Sequence, residues 1–317
     1  MYRRDRPQVP GTGRFQTIIM AAAIIFGSRG QDAYYLTQLL TGAGISVTGV
    51  SRSAGPWLQG DVSDLPFTEE LIESRKPDYI FHLAANSAVH HGLLWEHQST
   101  IVKGTQNILE SVYRHSKHSR VFITGSGLQF VNTGAPISEK DELLAGNAYT
   151  LARIQSLYAA RYYRSLGIKT FAGHLFHHDS PLRTEHHLNR KIVDTVKRIA
   201  AGEDARLQIG DVTVEKEFGF AGDIAKGIFH LVQQETVTEA CIGTGKAYPI
   251  SKWLDICFSS IGKNWEDHVD RNPAFRSDFK RLVSDPSSLE STGWKAETSI
   301  EQLAALMLQS SGTSHGE

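Results

Sequence analysis

Cysteine is nearly absent. Cys241 and Cys257 are the only two in 317 residues, so a disulfide framework is excluded and a reducing compartment, the cytoplasm, is expected. No apolar run approaches the roughly 18 residues that a membrane span needs. The longest, 18–26, is too short and ends in a glycine turn. Charge of one sign is also missing: 33 Lys and Arg against 34 Asp and Glu leave a net charge of -1. A dedicated nucleic-acid binder would usually be basic, so neither nucleic acid nor a membrane is expected as a partner. The 14 histidines include pairs at 90–91, 177–178 and 186–187. None has Cys or carboxylate companions at a recognised ligand spacing, and no metal is expected.

What is present reads as an α/β protein. Residues 1–20 are basic and aperiodic and read as a disordered leader. From residue 21, short apolar runs alternate with amphipathic stretches. Strands are predicted at 22–26, 45–50, 79–83, 120–124 and 169–175, and helices at 32–40, 96–115 and 149–166. This βαβ alternation implies a Rossmann-type, doubly wound parallel sheet covered on both faces, over 21–176. Residues 177–190 look like a polar loop. Helical patterns return at 191–201, 221–234, 250–261 and 300–308. The span 177–310 therefore reads mainly as a smaller C-terminal substrate-capping domain with returning segments, and 311–317 as a tail.

Between the first strand and first helix lies Gly27-Ser28-Arg29-Gly30-Gln31-Asp32, the context of a dinucleotide fingerprint. Glycines permit the tight turn, and the helix N-terminus offers N–H groups to a pyrophosphate. A further absence bears on the cofactor. NAD sites usually place a carboxylate at the end of the second strand, but no acidic residue lies between Asp32 and Asp61. Ser51-Arg52-Ser53 stands there instead. A guanidinium with two hydroxyls suits a 2′-phosphate, with Arg29 as a second cation, so NADP(H) is expected over NAD.

These features resemble the extended short-chain dehydrogenase/reductase family, in particular the branch of GDP-mannose 4,6-dehydratases and GDP-4-keto-6-deoxymannose reductases. GSRGQDAYYL at 27–36 resembles that branch's GxxGQDGxYL, and HLAANS at 82–87 its HLAAQS. LFHHDSP at 175–181 resembles LFNHESP, RKI at 190–192 resembles TRKI, and KEFG at 216–219 falls where RDWG is found. The resemblance implies cofactor contacts from Gly27, Arg29, Gly30, Gln31, Asp32, Arg52, Asp61, Val62, Leu83, Ala84 and Ala85. It implies a catalytic trio of Ser126, Tyr149 and Arg153, the last two also touching the cofactor. Arg153 stands where the family has lysine, a cation one helical turn from the phenol. The resemblance further implies a nucleotide diphosphate sugar, GDP-linked by preference, contacted by Asn86, His90, Ser126, His177, Lys191, Lys216 and Arg276. A homodimer through the helices at 96–115 and 149–166 is also implied.

One departure narrows the chemistry. The dehydratases carry a glutamate two residues after the catalytic hydroxyl; this chain has Leu128. Eliminating water from a hexose needs a base at one carbon and an acid at the next, and leucine is neither. The sequence therefore predicts an NADPH-dependent reductase of a nucleotide-linked 4-keto-6-deoxy sugar. The alternatives are an epimerase or 4,6-dehydratase with retained cofactor, or a lapsed binding protein in which Arg153 has ended catalysis.

Overall fold

A computed structural model describes residues 21–310. The leader and tail predicted at 1–20 and 311–317 lie outside the described residues. The sheet is built from β1 (Ala22–Phe26), β2 (Ser46–Ser51), β3 (Leu58–Gln59), β4 (Tyr79–His82), β5 (Arg120–Ser126), β6 (Lys169–Leu175) and the later strand Glu239–Ile242. All pairings are parallel, and the spatial order is Glu239–Ile242, β6, β5, β4, β1, β2, β3. The fold is thus a Rossmann-type α/β fold. The winding of the chain reverses between β1 and β4, and the crevice at such a reversal is where ligands bind in these sheets.

Alternation along the strands explains the two layers. Ala23, Ile25, Phe81 and Phe122 face helices α1 (Gln31–Gly42) and α7 (Ala221–Val232). Ile24, Phe26, Ile80, Val121 and Ile123 face the other layer. That layer holds α2 (Leu65–Arg75), α4 (Gly104–His115) and α5 (Ala148–Ser165). Strands buried on both sides need continuous apolar runs, which is why β1 reads AAIIF.

The helix predicted at 96–115 differs in detail. It runs as α3 (Leu94–His97), a π-helical stretch (Gln98–Lys103) and then α4. A π turn displaces backbone carbonyls from the regular ladder. The Ile101 carbonyl accepts instead from Thr105 Oγ1 at 2.6 Å and Ser156 Oγ at 3.1 Å. The loop predicted at 177–190 also differs. It contains the short strand His178–Asp179, and α6 (Leu188–Ala200) begins three residues before the predicted start.

A second core gathers α6, α8 (Ile250–Ser259) and the helix Ile300–Gln309 around Trp253, Leu254, Phe258 and Leu303. Beside it, strand Glu215–Glu217 lies between Ala247–Pro249 and Arg281–Leu282. Glu217 is fully buried and accepts hydrogen bonds from the backbone and hydroxyl of both Thr244 and Ser284, at 2.5 to 3.0 Å. That satisfies a buried carboxylate and fixes the strand carrying Lys216. Among the described residues, no helix is long and apolar enough to cross a membrane.

Candidate active site

The glycine turn is dictated twice over at Gly27. Its φ is +95°, and a Cβ there would lie 2.6 Å from the Ala84 nitrogen. Backbone after β1 therefore closes on backbone after β4, an approach only glycine permits. Ser28 Oγ donates to the Ile25 carbonyl at 2.8 Å and accepts from Val50 N–H at 3.0 Å, tying the turn to β2. Helix α1 starts with no side-chain cap on Gly30, so its first N–H groups are open to an anionic ligand. Arg29 is exposed on this turn, and Leu83 and Ala85 line the cleft beneath it.

Gln31 and Asp32 also line the cleft, but their side chains hold the chain's own 178–180 segment. Ser180 Oγ donates to Gln31 Oε1 at 2.8 Å. His178 Nε2 lies 2.8 Å from Asp32 Oδ1, and its Nδ1 lies 2.7 Å from the Phe176 carbonyl. Both partners only accept, so both ring nitrogens carry protons and His178 is an imidazolium. Burial works against that charge, yet the Asp32 carboxylate outweighs it and raises the His178 pKa. Burial likewise opposes ionisation of Asp32, and His178 more than reverses this, lowering its pKa.

At the end of β2, Arg52 is exposed and pairs with Glu96 at 3.4 Å. Asp61 accepts from Ser63 N–H at 2.9 Å. Val62 is buried, and its carbonyl accepts from Asn107 Nδ2 at 2.9 Å.

Ser126 closes β5, opposite Leu175 of β6. Its Oγ accepts from Leu128 N–H at 3.2 Å, and Gln129 Oε1 accepts from Ser126 N–H at 2.8 Å. Tyr149 stands in the first turn of α5, behind the cap in which Asn147 Oδ1 accepts from Thr150 N–H at 2.9 Å. Arg153, one turn on, is buried and donates from Nη1 to the Thr124 carbonyl at 2.7 Å. Its guanidinium carbon lies 5.0 Å from the centre of the Tyr149 ring. The buried His97 meets that ring edge-on, centroids 5.6 Å apart. Ser126, Tyr149 and Arg153 thus converge on one cleft of about 460 Å³.

The opposite wall is polar. His177, Arg183, His187, Asn189 and Lys216 all line it. Asp179 positions two of them, pairing with Arg183 Nε at 3.1 Å and accepting from Asn189 Nδ2 at 2.5 Å. Lys216 is buried, with its ammonium 5.2 Å from the centre of the Phe218 ring, and that ammonium makes no hydrogen bond or ion pair among the described residues. Burial lowers its pKa, Asp179 partly offsets this, and Arg183 adds to it. Burial, reinforced by Lys216 and Arg183, holds the His177 pKa well below the ordinary histidine value. His187 is brought down to about 4, by burial and then Arg183.

Other predicted contacts fall outside the cleft lining. His90, Lys191 and Arg276 are exposed, and Asn86 accepts from Ala88 N–H at 3.1 Å. Sequence reasoning missed Arg183, His187 and Asn189. The usable signal was the Asp179 to Arg183 spacing of four, which suits a local ion pair. Leu128 contributes an apolar side wall with Phe176 and Leu282. The only carboxylates among the described lining residues are Asp32 and Asp179, each already engaged.

A parallel sheet with this glycine turn, and a hydroxyl, phenol and cation gathered at its carboxyl edge, defines an extended short-chain dehydrogenase/reductase. More narrowly, the chain belongs to the GDP-mannose 4,6 dehydratase family, whose model matches residues 24–307. It is similar to GDP-mannose 4,6 dehydratase 1 of Arabidopsis thaliana, 27% identical over 90% of this chain and 88% of the relative. GDP-mannose 4,6 dehydratase 2 of Caenorhabditis elegans is 26% identical over 91% and 88%. Among solved structures, RMD from Pseudomonas aeruginosa complexed with NADPH superposes with a TM-score of 0.79 at 18% identity, over 91% of this chain and 98% of that one. The dTDP-glucose 4,6-dehydratase of Bacillus anthracis, in complex with NAD, gives 0.79 at 14% identity, over 91% and 96%.

Proposed function

We propose that this chain is an NADPH-dependent reductase of a nucleotide-linked 4-keto-6-deoxy sugar, with GDP the favoured nucleotide. The observation that carries this reading is Leu128. It stands on the cleft wall beside Ser126, and among the described residues the lining offers no unengaged carboxylate to remove and return the protons of a dehydration. What remains is the set for one hydride transfer.

The residues fit the cofactor. Gly27 lets the backbone approach closely, the uncapped start of α1 would take the pyrophosphate, and Arg52 would take a 2′-phosphate. When bound, the reduced nicotinamide supplies the hydride. Ser126 Oγ would hold the ketone oxygen by a hydrogen bond, and the Tyr149 phenol would deliver the proton that completes the hydroxyl. Arg153 would steady the phenol by its charge and by anchoring to Thr124. On the far wall, Lys216 and Arg183 supply positive charge suited to a diphosphate. The GDP preference is drawn from the named activity of the curated relatives.

The relatives' names favour a second reading, a 4,6-dehydratase with retained cofactor. The two separate in one assay. NADPH oxidation on adding GDP-4-keto-6-deoxymannose supports the reductase. Conversion of GDP-mannose with no NADPH consumed supports the dehydratase. Tight binding of NADPH and GDP-sugar with neither turnover points to a lapsed binding protein. The further readings belong with the first: a cytoplasmic protein with a cofactor domain over 21–176 and a substrate-capping part over 177–310. A homodimer is proposed through α4 and α5, whose groove of about 670 Å³ is lined by the exposed Tyr158 and Tyr162. Sedimentation of a Tyr158→Glu, Tyr162→Glu variant as a monomer would support that interface.

A further inference from the structure

The sequence places no carboxylate at the end of β2, but the fold supplies one from elsewhere. Glu96, in α3, reaches across to Arg52, its Oε1 3.4 Å from Nη2. An exposed pair of this kind adds little stability, so its interest lies in where it stands. Arg52 is the cation set for a 2′-phosphate, with Ser51 and Ser53 on either side, their hydroxyls 3.3 Å apart. Both ends of the pair are anchored through their backbones. The Arg52 carbonyl accepts from Gln59 Nε2 at 3.0 Å, and Gly60 N–H donates to the Ser51 carbonyl at 2.9 Å. Next to Glu96, the buried His97 holds the Ala88 carbonyl at 3.0 Å, and Gln98 Nε2 donates to Gln155 Oε1 of α5 at 2.8 Å. Whatever rotamers the two side chains adopt, the carboxylate stays within a side chain's length of the guanidinium. We propose that Glu96 is a specificity-determining residue for the cofactor. It opposes the 2′-phosphate that Arg52 attracts and accepts a hydrogen bond from a 2′-hydroxyl, which holds the preference for NADPH over NADH below what Arg52 alone would set.

Charge gives the direction of the effect. Alone, Arg52 favours the phosphate-bearing cofactor through a bidentate, charge-assisted contact. With Glu96 in place, the guanidinium must first give up a carboxylate, and the phosphate then lies beside a like charge. One charge pair at about 4 Å in water is worth roughly a five-fold factor in affinity. A phosphate monoester carries about two charges near neutrality, and screening at physiological salt trims the product to about 10-fold. NADH meets the opposite case. Its 2′-hydroxyl is neutral and donates to a carboxylate, the contact that a strand-end acid makes in NAD sites. The Ser51 and Ser53 hydroxyls serve either cofactor, because each can donate or accept. Selectivity therefore falls to the two charged residues, one just past β2 and one in α3.

This inference rests on the placing of the 2′-phosphate at Arg52, and the test separates the two. Dissociation constants of NADPH and NADH are measured by fluorescence titration on the full-length protein, as wild type, Glu96→Gln and Arg52→Gln, over a series of salt concentrations. Glu96→Gln keeps the size of the side chain and removes its charge. The ratio of the NADH to the NADPH dissociation constant should rise about 10-fold at physiological salt, more at low salt and less at high salt. A merely structural effect would move both cofactors together and would not follow salt. Arg52→Gln should move the ratio the other way. An unchanged or lowered ratio in Glu96→Gln, with the ratio lowered in Arg52→Gln, would overturn the inference and leave the 2′-phosphate at Arg52. An unchanged ratio in both variants would remove that placing and this inference together.

Discussion

Lowering the pH from 7 towards 4 should load the unfolded chain with protons that the native His82 and His174 refuse. Both side chains are fully buried, and no ring nitrogen of either makes a hydrogen bond among the described residues. Burial lowers each from 6.5 to about 4, with the Arg153 charge adding to the effect at His82. The native pKa lies below the unfolded one, so between the two values the unfolded state binds more protons. Stability is therefore full above the unfolded value and is lost as the pH falls through this window. At about 1.36 kcal/mol per pH unit, each histidine withdraws roughly 3 kcal/mol by the lower end. Two together approach the whole stability of an ordinary domain, of order 5 to 15 kcal/mol. The assay is urea unfolding at stepped pH, read by the fluorescence of the buried Trp253 and Trp294. His174→Leu removes one contribution, and the slope of stability against pH should fall by up to about 1.4 kcal/mol per unit. An unchanged slope in His174→Leu would refute the reasoning, because it would mean that His174 protonates alike in both states.

Three further outcomes follow from the site. Replacing Arg153 with Met removes the cation over the Tyr149 ring and the partner of the Thr124 carbonyl, and kcat should drop at least about 100-fold; Arg153→Lys restores the charge and should recover most of it, as steady-state kinetics on the ketosugar would show. Gly27→Ala forces a Cβ into the Ala84 backbone at a positive φ, so NADPH binding, measured by fluorescence titration, should be lost while the fold persists. Glu217→Gln leaves some of the Thr244 and Ser284 donors without a charged acceptor, and should cost about 2 kcal/mol in denaturant unfolding.

Five strands of the main sheet were legible because they form near-continuous apolar runs and because the glycine turn must be glycine, but Leu58–Gln59 and Glu239–Ile242, which complete its two edges, were not. The strands of the capping part were not, because Gly219–Phe220 and Arg281–Leu282 hold two residues each, too few to show a period. The substrate side failed for a related reason. Orienting a helix's charges requires its starting residue, and α6 starts at Leu188. From there Leu188 and Asn189 turn into the cleft and Ile192, Val193 and Val196 into the core, which leaves Lys191 in solvent. Arg183 was hidden in a segment read as loop, although Asp179 fixes it there. The π turn was hidden because an extra residue in one turn leaves no mark on composition.

Gln31 and Asp32 show how far a motif underdetermines its use. Their place in the glycine turn implies cofactor contacts, but their side chains grip Ser180 and His178. The first turn of α1 would meet the pyrophosphate through its backbone, while the same residues' side chains hold the loop that carries His177 and Asp179. Asp179 in turn positions Arg183 and Asn189. The cofactor turn and the polar wall are therefore one connected unit. A cut at Asp32, as in Asp32→Asn, removes the counter-charge of a buried imidazolium, and its first effect is to be sought in affinity for the nucleotide sugar, not in affinity for NADPH.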